Sequence, residues 1–313
     1  MPKYLITGGC GFIGSHLAQG LVQQGAEVII YDNLSSGFLK NIDSIKDKIE
    51  FIQADICDVG ALNVALKGVE GVFHEAALVS VFDSVNSPEE NHSINITGTF
   101  YVLRASQKAG VKKVVLASSA AVYGNDPLLP KVETMKPSPE SPYALGKLTG
   151  EYYARLFSQL YGLNTVSLRY FNVFGPRQDP SSMYSGVISK FMEAFIKSEN
   201  PFIFGDGLQT RDFVFVKNVV AANLLAMQTN SADGYQVFNV GCGRQISLLD
   251  LISEMELLFY RKANPEFKPA RVGDIKFSVA NIDAIQKSLG YVPSFSLKEG
   301  LADYFKYLTG DLK

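Results

Sequence analysis

The chain has no tryptophan, and its 313 residues include only three cysteines and three histidines. Cys10, Cys57 and Cys242 lie far apart and form no CxxC pair, which leaves neither a disulfide framework nor a thiolate metal site. His16, His74 and His92 form no HExxH or HxH pattern, so no metal is expected. An excess of one charge is missing too: 29 Lys plus Arg stand against 31 Asp plus Glu, for a net charge of −2, with no polybasic run. A surface for nucleic acid or anionic lipid is therefore not expected. No apolar stretch reaches the length of a membrane span. Met1 to Thr7 enters a strand at once, without the apolar region of a signal peptide, so a cytoplasmic location is the default expectation. The sequons Asn91-His92-Ser93 and Asn95-Ile96-Thr97 are then chance matches.

What is present is the composition of a folded protein, 47% hydrophobic and 19% charged. The length allows one large domain or two coupled ones. Near-continuous apolar runs, as in strands covered on both faces, occur at Tyr4–Thr7, Val28–Tyr31, Phe51–Ala54, Val72–His74, Val114–Ala117 and Thr165–Tyr170. Helical patterns separate them at Ile13–Gln24, Ala61–Lys67, Ile94–Ala109 and about Tyr143–Leu160. This alternation predicts an α/β fold, a doubly wound parallel (Rossmann) sheet with right-handed crossovers. Past Gly175-Pro176 the rhythm changes; loops such as Asp179–Ser182 and Gly205–Gly207 separate shorter elements. Helices are expected at Val219–Met227, Leu248–Phe259, Asn281–Leu289 and Leu297–Tyr307. We expect a dinucleotide-binding domain over 1–171 plus roughly 212–240, and a smaller C-terminal substrate-binding lobe over 172–211 and 241–313.

Gly8-Gly9-Cys10-Gly11-Phe12-Ile13-Gly14 follows the first strand and opens the first helix. Glycines in this pattern permit a tight turn and bring backbone N–H groups against a pyrophosphate at a helix N-terminus. Asp32 ends the second strand eighteen residues beyond Gly14, where a carboxylate accepts hydrogen bonds from an adenosine ribose and repels a 2′-phosphate. No arginine follows in Asn33-Leu34-Ser35-Ser36-Gly37, so NAD is favoured over NADP. Asp55-Ile56 after the third strand is a candidate frame for the adenine; a plain turn aspartate explains it nearly as well.

Tyr143 and Lys147 fall one turn apart on one helix face, with Ser141 as a candidate N-cap and Pro142 in the first turn. A free tyrosine, with a pKa of about 10, is a poor base near neutrality. An adjacent ammonium and an oxidised nicotinamide would favour its phenolate. Ser119 ends the fifth strand, at the sheet edge where doubly wound folds bind ligands, and its hydroxyl can share the proton.

Together these residues resemble the extended short-chain dehydrogenase/reductases, and among them the nucleotide-sugar 4-epimerases. The resemblance spans nearly the whole chain: Gly8–Gly14, Asp32–Leu34, Asp55-Ile56, His74–Ala77, Asn95–Thr99, Ser118–Gly124, Tyr143/Lys147, Leu168–Arg177, Gly205–Gly207 with Arg211–Phe213, and Arg271–Asp274. It implies Ser119, Tyr143 and Lys147 as the catalytic set. The implied NAD contacts are Gly8, Gly11, Phe12, Ile13, Gly14, Asp32 to Gly37, Asp55, Ile56, Ala76, Ala77, Asn95, Tyr170 and Phe171, together with Tyr143 and Lys147.

On the substrate side the resemblance implies that Asn172, Arg211 and Arg271 bind a diphosphate, as fixed arginines suit bidentate phosphate contact. Asp274 would hold the nucleotide's ribose, Gly186-Val187 would pass the uracil, and Ser80 and Ser278 would sit by the sugar. A salt bridge to Asp206 or Asp212 accounts for Arg211 equally well from local sequence. His74, inside an apolar strand, reads as a satisfied core residue. Related dehydratases carry Asp-Glu just after the serine position, as acid and base for elimination. Here Ala120 and Ala121 stand there, which disfavours dehydration and decarboxylation. The expected activity is NAD-dependent 4-epimerisation of a UDP-hexose through a 4-ketose. A UDP-uronate epimerase or decarboxylase, another dehydratase, or a silent NAD-sensing scaffold are the alternatives. The helices Ile94–Gly110 and Tyr143–Tyr161 would pair across a two-fold axis in a homodimer.

Overall fold

The computed structural model describes residues 1–178, 186–229, 234–270 and 276–310. The first six predicted strands all form: β1 (Lys3–Thr7), β2 (Glu27–Asp32), β3 (Ile49–Gln53), β4 (Gly71–His74), β5 (Lys113–Ser119) and β6 (Asn164–Tyr170). Between them run α1 (Phe12–Gln23), α2 (Val59–Ala65), α3 (Val81–Asn86), α4 (Pro88–Asn91), α5 (Thr99–Ala109) and α6 (Pro142–Tyr161). The rest of the chain contributes β7 (Asn172–Phe174), α7 (Val187–Ile196), β8 (Phe202–Phe204), β9 (Thr210–Arg211), β10 (Phe213–Phe215), α8 (Val216–Gln228) and β11 (Tyr235–Val240). It closes with β12 (Ile246–Ser247), α9 (Leu248–Phe259), β13 (Glu266–Lys268), α10 (Asp283–Leu289) and α11 (Leu297–Thr309).

The main sheet has seven parallel strands in the order β11-β6-β5-β4-β1-β2-β3. Its seventh strand, β11, pairs with β6 from Tyr235↔Thr165 to Val240↔Tyr170, and the sequence reading passed over it. Its first half, Tyr235-Gln236-Val237, is only half-buried, so it lacks the continuous apolar run that marks the inner strands. The chain winds outward from β1 through β2 and β3, then crosses to β4 on the other side. The carboxyl ends of β1 and β4 therefore flank the topological switch point, where doubly wound sheets bind ligands.

One sheet face is sealed by Leu17 and Leu21 of α1 with Val219 and Ala222 of α8, the other by Val102 and Leu103 of α5 with Ala154 and Phe157 of α6. Each of the leucine, valine and phenylalanine side chains, fully buried, contributes roughly 1.5–3 kcal/mol, so the sheet edge is held as a rigid platform. A third cluster joins Phe191 and Phe195 of α7, Leu251 and Met255 of α9 and Tyr304 of α11, beyond the carboxyl edge of the sheet.

The helix expected from Ile94 is regular only from Thr99; His92–Gly98 winds as a π-helix between α4 and α5. It ends as expected at Gly110, in the left-handed conformation (φ 72°). Ser141 caps α6, accepting from the Ala144 N–H at 3.1 Å, with Pro142 at the first turn. All three cysteines are free. Among the described residues no cluster of His, Cys, Asp and Glu could hold a metal ion, and no helix is long and apolar enough to cross a membrane.

Candidate active site

The glycine loop is shaped by close approach. A Cβ on Gly8, whose φ is +69°, would lie 2.7 Å from the Ala76 backbone nitrogen, and one on Gly14 would lie 2.2 Å from the Gly8 carbonyl oxygen. Neither space can hold a side chain, so the loop folds tightly between the ends of β1 and β4. No side chain caps α1 at Gly11. Its first N–H groups, from Phe12, Ile13 and Gly14, point outward with the positive end of the helix dipole, a cradle for a pyrophosphate.

Asp32 is buried at the end of β2 and binds backbone on both sides: Oδ2 accepts from Cys10 N at 2.9 Å and Oδ1 from Leu34 N at 2.8 Å. The carboxylate thus anchors the glycine loop while each oxygen keeps a lone pair for a ribose hydroxyl. Asn33 donates to Asp55 Oδ2 at 2.8 Å, and Cys57 N to Asp55 Oδ1 at 2.7 Å, so the two turns beside the expected adenine pocket brace each other. Ser35 N donates to Asn33 Oδ1, and Gly37 packs against Cys10 and Asp32. Ile56 is buried in the core under Gly98. These residues fit NAD.

His74 is the satisfied core residue expected. Its ring bonds Thr7 Oγ1 at 2.7 Å and Thr99 Oγ1 at 3.0 Å, and burial pushes its pKa down to about 3. Ala76 and Ala77 follow in the loop over the switch point, and Ala76 N donates to Thr7 Oγ1 at 3.3 Å. Asn95 is buried in the π-helix. Its amide donates to Leu78 O and Asn91 Oδ1 and accepts from Leu78 N, all within 2.9 Å, so its polar atoms hold the loop after β4.

Ser119, Tyr143 and Lys147 converge at the carboxyl edge of β5. Burial raises the Tyr143 pKa, and its interaction with the Ser119 hydroxyl pulls it back. Lys147 Nζ donates to the Ala117 carbonyl at 2.8 Å and lies 5.9 Å from the centre of the Tyr143 ring. The sequence leads us to expect the ammonium and an oxidised nicotinamide together to lower the Tyr143 pKa; the protein's own groups give a net rise, because desolvation of the phenolate outweighs the Ser119 interaction. Burial also brings Lys147 down to about 8, with Glu75 pulling the other way.

The sequence reading assigned Glu75 no role. Its carboxyl accepts from the Tyr170 hydroxyl at 2.9 Å and is pushed up to about 7 by burial. Asn223 of α8 in turn donates to that hydroxyl at 2.8 Å. Ser84 was missed as well: its hydroxyl accepts the Tyr143 N–H at 3.1 Å and so holds the first turn of α6. No local pattern announces it, because the contact crosses 59 residues. Tyr170 and Phe171 are buried, the latter packed with Val122, Tyr123 and Leu148.

On the substrate side, Asn172 and Arg211 lie on adjoining segments, since β7 pairs with β10 and Asn172 N donates to Asp212 O at 3.0 Å. Arg211 donates to Thr210 O at 2.9 Å. Asp212 accepts from the N–H groups of Cys242, Gly243 and Ala280, and Asp206 accepts from Leu208 N. Ser278, half-buried, donates its N–H to Thr210 O at 3.2 Å, beside Arg211. Ser80 is the N-cap of α3, accepting from Asp83 N. Gly186 opens α7 just before Val187. Arg271 and Asp274 lie outside the described residues, as does the loop Asp179–Ser182.

Residues 4–241 match the NAD dependent epimerase/dehydratase family. The chain belongs to that family. A UDP-glucose 4-epimerase of Mycolicibacterium smegmatis is 40% identical over 304 residues, covering 96% of each chain. A UDP-N-acetylglucosamine 4-epimerase of Methanobrevibacter ruminantium, solved with UDP-N-acetylmuramic acid, superposes with a TM-score of 0.95 at 37% identity over 99% of both chains. A UDP-glucose 4-epimerase of Thermotoga maritima, solved with UDP-glucose, gives 0.93 at 38% identity, over 99% of this chain and all of that one. This epimerase-family protein is accordingly an NAD-dependent isomerase with a Rossmann-like fold.

Proposed function

We propose that the protein is a 4-epimerase of a UDP-hexose, acting on UDP-glucose and UDP-galactose and on their N-acetylated counterparts. The observation that carries this is the meeting of Ser119, Tyr143 and Lys147 at the carboxyl edge of β5, beside the glycine cradle. Tyr143 takes the O4 proton as the general base, and Ser119 holds the same oxygen through its hydroxyl. NAD held by the Gly8–Gly14 cradle and Asp32 would supply reversible hydride transfer at C4. Lys147 keeps a positive charge near the phenol and favours its ionised form. Asn172, Arg211 and Arg271 hold the diphosphate while the sugar turns, Asp274 takes the nucleotide's ribose, and Ser80 faces the sugar. The lobe formed by 172–211 and 241–313 closes over the nucleotide at Gly186-Val187.

Ala120 and Ala121 carry only methyl groups immediately after Ser119, where an elimination would need an acid and a base. That supports inversion over dehydration. A homodimer is part of the same reading: Leu145, Tyr152, Leu156 and Leu160 are exposed at helical spacing along α6, a stripe that a second copy would cover.

The test is incubation with UDP-glucose, UDP-N-acetylglucosamine and UDP-glucuronate with no added cofactor, and separation of the products. We expect 4-epimers of the first two at unchanged mass. Loss of water or carbon dioxide, or no reaction with any sugar, would sink the reading.

A further inference from the structure

Helix α6 carries more than Tyr143 and Lys147. One further turn along, Glu151 is 2% exposed, and its carboxylate is gripped from two strands. Arg169 of β6 donates to it bidentately, from Nε at 2.9 Å and Nη2 at 2.7 Å, and the Ser118 hydroxyl of β5 donates to Oε1. Arg169 Nη1 continues to the Tyr123 hydroxyl at 2.9 Å, and that hydroxyl donates to Asn239 Oδ1 of β11 at 2.6 Å. Ser118 immediately precedes Ser119, and Tyr123 ends the 3₁₀ turn that Ser119 caps. A single carboxylate therefore ties together the helix bearing Tyr143, the strand bearing Ser119 and, through Arg169, the turn that follows.

All five side chains of this network are buried, so none is open to the cleft. Stability alone does not account for them. Two apolar side chains of similar volume would pack the same space without desolvating two charges, and such replacements are often neutral or stabilising. What an apolar pair lacks is direction: a bidentate guanidinium–carboxylate contact fixes both distance and angle.

We propose that Glu151 and Arg169 are positioning residues for the epimerisation: their paired contact sets the approach of Ser119 to Tyr143 without touching substrate or cofactor. The proposal rests on the roles assigned above to Ser119 and Tyr143. Displacement of reacting groups by about 1 Å costs on the order of 10²-fold in rate, so small slippage of α6 is enough.

The experiment removes both charges together, Glu151→Leu with Arg169→Met, so that neither is left unpaired. Melting temperature, NAD affinity by calorimetry, KM, kcat and its pH profile are compared with the parent. We expect a folded protein with parental NAD affinity and KM and a kcat about 10- to 100-fold lower. The acid limb of kcat should move to higher pH, because the Ser119 interaction that holds the Tyr143 pKa down is loosened. A folded double variant with parental kcat and acid limb would overturn the proposal. If that variant does not fold, Arg169→Lys decides: it keeps the buried charge pair and removes the bidentate contact to Glu151. A severalfold fall in kcat at unchanged KM supports the clamp, and an unchanged kcat overturns it. A parent inactive on every UDP-sugar would instead sink the functional reading itself.

Discussion

Lys147 shares a helix face with Tyr143, yet its ammonium is bonded to the Ala117 carbonyl at 2.8 Å and stands 5.9 Å from the Tyr143 ring centre. The lysine ammonium thus ties α6 to β5, the strand that ends in Ser119. Burial raises the pKa of the phenol and the Ser119 hydroxyl pulls it back, so the approach of Ser119 bears on how well the phenol acts as a base.

Phe in place of Tyr143 keeps the ring and removes the group that takes the O4 proton. Positioned proton transfer contributes about 10²–10⁴-fold, and turnover should fall by that factor with the melting temperature unchanged. Near-parental epimerisation by Tyr143→Phe would rule the mechanism out.

The alkaline limb of activity should follow Lys147. Its pKa is brought down from 10.5 to about 8, so the ammonium is lost, and kcat with it, as pH rises through that value. The Glu75 carboxyl, at about 7, is ionised there and supports the cation. Glu75→Gln removes this anion, so the limb should move to lower pH. A limb that stays in place, or moves upward, would show that the two groups do not communicate.

Asp32 should make NAD bind far more tightly than NADP, and Asp32→Ala should narrow the gap. Because the same carboxylate also takes the Cys10 and Leu34 N–H groups, NAD affinity should fall in the variant as well. Titration of both dinucleotides measures the two effects; equal affinity of the parent for both would exclude a ribose-reading carboxylate.

Ser278 lies next to the strand that carries Arg211, and a side chain this small would leave room for an N-acetyl group if the sugar binds beside it. Ser278→Tyr should exclude UDP-N-acetylglucosamine by overpacking while sparing UDP-glucose, whose C2 group is only a hydroxyl. An unchanged ratio of the two rates would mean that Ser278 does not gate the sugar.

The sequence by itself determined the parallel sheet, the glycine cradle with Asp32, and the Tyr143/Lys147 pair. Each of these is written at short range, as an apolar run, a glycine spacing or a helical repeat. Leu248–Phe259 coincides with the predicted helix for the same reason: Ser247 and Asp250 form a capping box at its start. The strand β11 escaped because an edge strand is not obliged to be apolar on both faces. Tertiary structure alone decided what crosses long stretches of chain: Glu75 meeting Tyr170, Ser84 holding the Tyr143 N–H, and Arg169 gripping Glu151. Buried charges find partners by where the fold brings their ends, and nothing in the spacing of residues along the chain encodes that. Asn95 makes the same point, since its type and position were evident in the sequence, while only the packed π-helix directed its amide to the Leu78 backbone.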